Sequence, residues 1–95
     1  MLYLEVTKLL KKIITFLKNN KIPIPDTLVN SADAFDKALS EGGNVSKENL
    51  DTISRYLFPE YGMGWYADLG YELGEEKMKE LNILTQELQK AIQST

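Results

Sequence analysis

From Leu2 to Asn19 apolar residues return every three or four positions. At about 100° per residue, Leu2, Tyr3, Val6, Leu9, Leu10, Ile13, Ile14, Phe16 and Leu17 fall within about 160° of arc. Glu5, Lys8, Lys11, Lys12, Thr15, Lys18 and Asn19 occupy the other side, and only Leu4 is stranded there. This spacing predicts an amphipathic helix, and so wide an apolar arc suits burial against more than one neighbour. Asn19-Asn20-Lys21 supplies a polar C-terminus whose cation favours the helix dipole.

Ile22-Pro23-Ile24-Pro25 reads as an extended connector, because each proline drives its predecessor out of the helical region. A second helix is expected from Pro25 or Asp26 to about Ser40, with Leu28, Ala32, Phe35 and Leu39 as its inner stripe. Ser31, Ala32 and Ala38 are small enough for close approach, and Gly42-Gly43 stops the helix. Ser46 is placed to cap a third helix, Lys47 to about Phe58, with Leu50, Ile53 and Leu57 inward and Tyr56 at the edge. Pro59 closes it. After Gly74-Glu75-Glu76 a last helix runs to about Gln93, striped by Leu81, Leu84, Leu88, Ala91 and Ile92 with Met78 at the margin. Ile83 is its misplaced apolar residue.

These elements predict an all-α fold in a single domain, 1–95, arranged as a compact four-helix bundle with short connections. Between the third and last helices lies a loop of a different character. Residues 58–71 hold the sole Trp, three of the five Tyr and three of the six Gly. Within it Trp65, Ala67, Leu69 and Tyr71 alternate with Tyr66, Asp68 and Gly70, a period-two pattern that also allows a small hairpin. Two readings stand side by side. The rings cover the open end of the bundle and complete its core; or they anchor a partner, as Trp and Tyr do at binding hot spots. The second reading assigns the partner-binding surface to Glu60, Tyr61, Met63, Trp65, Tyr66, Asp68 and Glu72.

At 43% hydrophobic and 26% charged residues, the composition is that of a folded domain and not a disordered chain. The net charge of −3 conceals a polarity: residues 1–21 carry +4 and the remainder −7. Phosphate affinity comes mainly from Lys and Arg, so the acidic majority argues against nucleic acid and for a basic partner. The lysine face of the first helix lacks interleaved Arg or aromatics and reads as a solvated surface. No run approaches the roughly 20 apolar residues of a membrane span. No basic segment precedes an unbroken apolar run as in a signal peptide, so a cytoplasmic location is expected.

Without His or Cys the commonest general base, the thiol nucleophile and most transition-metal sites are missing, and no cofactor or enzymatic activity is expected. Glu75-Glu76 suits a helix start, and Asp33, Asp36 and Ser40 suit a hydrated face. Gly62-Met63-Gly64 lacks the Lys-Ser/Thr of a phosphate loop and the third glycine of a dinucleotide site. Asn44-Val45-Ser46 spells a glycosylation acceptor, but the capping role of Ser46 is preferred.

Gly62-Met63-Gly64-Trp65-Tyr66-Ala67-Asp68-Leu69 resembles an uncharacterised family of small bacterial proteins with the pattern Gly-Met-Gly-Ser-(aromatic or Leu)-Asn-Asp-Leu. Gly62, Met63, Gly64, Tyr66, Asp68 and Leu69 match; Trp65 replaces the Ser and Ala67 the Asn, removing two turn-closing side chains. The resemblance implies a bacterial origin and a role like that of small immunity proteins, which neutralise toxins. The sequence thus leads to a non-enzymatic interaction protein, with a homo-oligomeric helical module as the alternative.

Overall fold

The structure, a computed structural model, describes residues 3–58 and 64–94, the side chain of Tyr3 excepted. It is all-helical, with five helices and no strand among the described residues: α1 (Tyr3–Asn19), α2 (Asp26–Glu41), α3 (Lys47–Leu57), α4 (Trp65–Leu73) and α5 (Glu75–Gln93). Helices α1 and α5 pack most extensively on each other, α2 bridges α1 and α3, and the short α4 lies on α5 and α3, which closes the circuit. The core lies inside that ring. Val6, Ile13 and Leu17 of α1, Leu28 and Phe35 of α2, Ile53 of α3, and Leu81 and Leu88 of α5 are wholly buried there.

The helix ends follow local chemistry. At the end of α1 the Asn20 side-chain amide donates to the Phe16 carbonyl at 2.8 Å. The Lys21 N–H donates to Lys18 and the Ile22 N–H to Leu17, at 3.0 and 2.9 Å. This is the paired closure of a Schellman ending, with Lys21 at φ 60° in the left-handed slot usually held by glycine. It turns the chain so that Ile22 joins the core, and Pro23 follows where no helix can continue. The α3 start is capped by the Ser46 hydroxyl, which accepts from the Asn49 N–H at 3.2 Å, as the sequence predicts.

Two expectations need correction. The segment expected as an aromatic loop or hairpin is helix α4, so the bundle has a fifth helix. Its folding logic is the 3.6 period: Tyr66, Leu69 and Leu73 share one side, with Leu69 and Leu73 buried and Tyr66 half-buried. Gly64 at φ 91° admits the chain, and Gly74 at φ 82° ends α4 and starts α5 in one residue. Leu39, placed in the inner stripe, is 41% exposed, while the adjacent Ala38 packs against the core. Leu4 and Ile83 are exposed, matching their positions on polar faces.

Candidate functional site

Helix α4 lies against α5 and α3. Leu69 and Leu73 fasten it to the core, and Tyr66 pins it by hydrogen bonds. The Tyr66 hydroxyl donates to Asn82 Oδ1 at 2.6 Å and lies 3.1 Å from Thr85 Oγ1. Thr85 Oγ1 also donates to the Asn82 carbonyl at 3.1 Å, so its single proton is shared between that oxygen and the phenol. Burial raises the Tyr66 pKa above the ordinary tyrosine value, and the Thr85 hydrogen bond offsets part of the rise. Tyr66 is therefore a positioning residue whose polar tip is engaged by α5.

Trp65 points the other way around the helix. Its ring meets Tyr56 of α3 edge to face, with centroids 5.9 Å apart and planes at 89°. The Tyr56 hydroxyl in turn accepts from Thr27 Oγ1 of α2 at 3.1 Å. Beyond this contact Trp65 lines a groove of about 290 Å³ with Ile22, Pro23, Asp68, Leu69 and Glu72. The Schellman turn at the end of α1 delivers Ile22 and Pro23 to this wall. The groove has an apolar floor and two exposed carboxylates, Asp68 and Glu72, one helical turn apart.

On the opposite flank of α4 a second hollow, about 260 Å³, is lined by Leu57, Phe58, Tyr66, Asn82, Thr85, Gln86 and Gln89. Its polar groups are amides and hydroxyls.

Of the residues assigned from sequence to the binding surface, the structure gathers Trp65, Asp68 and Glu72 around one groove and turns Tyr66 inward. Glu60, Tyr61 and Met63 lie outside the described residues. Two groups were overlooked. Tyr71, on α4, is 92% exposed, the most exposed of the large apolar side chains described. Ile22 and Pro23 read as plain connector, and only the fold brings them to α4. Tyr71 was legible in principle: a helical wheel over 65–73 sets it opposite Leu69 and Leu73.

The electrostatics around α4 are one-sided. Between Arg55 and Lys77 the chain carries Glu60, Asp68, Glu72, Glu75 and Glu76 and no cation. The ion pairs among the described residues are Lys11–Asp36 and Lys79–Glu75, so Asp68 and Glu72 stand unpaired. Among the described residues no group of three carboxylates comes together to hold a metal ion. No described helix is long and apolar enough to cross a membrane. Compared with protein-family models, curated proteins and solved structures, the chain matches none.

Proposed function

We propose that this chain is a non-enzymatic binding module that engages a basic partner protein through the solvent face of α4. The observation that carries the reading is that face itself. It sets exposed Asp68, Tyr71 and Glu72 beside the half-buried Trp65, on a helix without a basic residue. Unpaired carboxylates steer a basic partner during encounter. Trp and Tyr are the residues most able to hold it afterwards. An immunity-like role in a bacterial cell, neutralising a basic toxin, is the specific form that the sequence resemblance implies.

A photo-crosslinking residue in place of Tyr71, with a control in place of the exposed Asp33 of α2, tests the proposal in extracts of the source cells. The expected result is an adduct to one basic protein from position 71 and none from position 33. That adduct is identified by mass spectrometry and is re-formed from the two purified proteins, in a yield that falls when salt is added before irradiation. No adduct from position 71 removes the reading. An adduct of twice the chain's own mass replaces it with self-association.

A further inference from the structure

We infer that the groove between α4 and the Ile22–Pro23 turn is a socket for one arginine side chain of the partner protein. This rests on the assignment of α4 as the binding face and adds the chemistry of the occupant.

Size comes first. At about 290 Å³ the groove lies at the lower bound of small-molecule sites, roughly 300–1,000 Å³, and suits a single long side chain. Its lining is divided as an arginine is divided. Ile22 and Leu69, both buried, with Pro23 and Trp65, present carbon to a methylene stem. Asp68 and Glu72 present two carboxylates at the rim. As an i, i+4 pair their Cβ atoms stand about 5–6 Å apart, a separation that a planar guanidinium bridges with five N–H donors in a fixed fork, where an ammonium has three on a single nitrogen. A guanidinium also stacks on an indole and sheds water more readily than an ammonium.

Charge complementarity selects among occupants. An acidic side chain meets two like charges, and an aliphatic one leaves both carboxylates without a counter-charge. The chain does not fill the role itself: Lys21, next to Ile22, is exposed and belongs to no ion pair among the described residues.

The sole tryptophan of the chain lines the groove, so its fluorescence reports occupancy directly. The probes are three short acetylated, amidated peptides identical except for a central arginine, citrulline or lysine. The arginine peptide is expected to shift Trp65 emission and the amide resonances of Trp65, Asp68, Leu69 and Glu72 saturably. It should bind about tenfold more tightly than the citrulline peptide, which has the same shape without the charge. Asp68→Asn combined with Glu72→Gln should abolish that preference while leaving the helical circular dichroism intact, since both side chains are exposed.

Equal binding of the arginine and citrulline peptides overturns the socket, as does a preference that survives the double substitution. Equal binding of the lysine peptide overturns the arginine assignment. Crosslinking separates this from the broader reading. If the Tyr71 adduct persists in the double variant, the socket falls and the binding face stands; if wild-type protein gives no adduct, the face itself falls.

Discussion

Tyr66 shows how one side chain can be recruited to position and not to contact. Its ring packs against the core while its hydroxyl engages Asn82 and Thr85 of α5. Because burial raises its pKa, the folded state holds the phenol proton more tightly than the unfolded chain does. The resulting stabilisation is fully present below the ordinary tyrosine pKa of about 10 and is lost as pH rises from there through the folded value. Tyr66→Phe should therefore lower stability at neutral pH by about 1–2 kcal/mol, having left Asn82 and Thr85 short of a partner. It should also flatten the decline at alkaline pH. Denaturant melts at neutral and strongly alkaline pH check both. A decline unchanged in the variant would assign the alkaline sensitivity to other groups.

At the scale of elements, glycine geometry governs the junction on which the site depends. Gly74 at φ 82° is the sole residue between α4 and α5, and a Cβ built there meets nothing within 4 Å. Gly74→Ala and Gly74→Asn should each fall below the wild type by about 1–3 kcal/mol through the backbone alone, because at ψ 170° the residue lies in a region that is essentially reserved for glycine and outside the left-handed helical well that Asn tolerates. Thermal unfolding of both variants measures the difference. The other helices were legible because their apolar stripes are long: α1, α2, α3 and α5 begin and end within one or two residues of expectation. Helix α4 was not legible. Nine residues give barely two and a half turns, Gly70 interrupts them, and Trp65, Ala67, Leu69 and Tyr71 counterfeit a strand. The stripe of Tyr66, Leu69 and Leu73 decides the matter only once α5 supplies a surface to pack on. The candidate site divides the same way. Asp68, Glu72 and Trp65 were visible as a chemical cluster. Ile22 and Pro23 were not, because more than forty positions separate them from α4 in the sequence.

The whole molecule depends on a core shared by every helix. Phe35 is wholly buried within it, and its truncation to Ala should cost about 3–5 kcal/mol. A domain of this size has about 5–14 kcal/mol in total, so the variant should unfold in one transition at markedly lower denaturant. Separate transitions for α4 and for the remaining helices would show that the core is divided. The circuit of helices has a further consequence for the groove. One wall descends from the carboxyl end of α1 and the other rides on α4, which a single residue joins to α5. Since α5 itself lies along α1, both jaws are ultimately clamped to one pair of long rods. A ligand gripped there would act as a bolt through the ring, tightening the fastening between the beginning of the chain and its end.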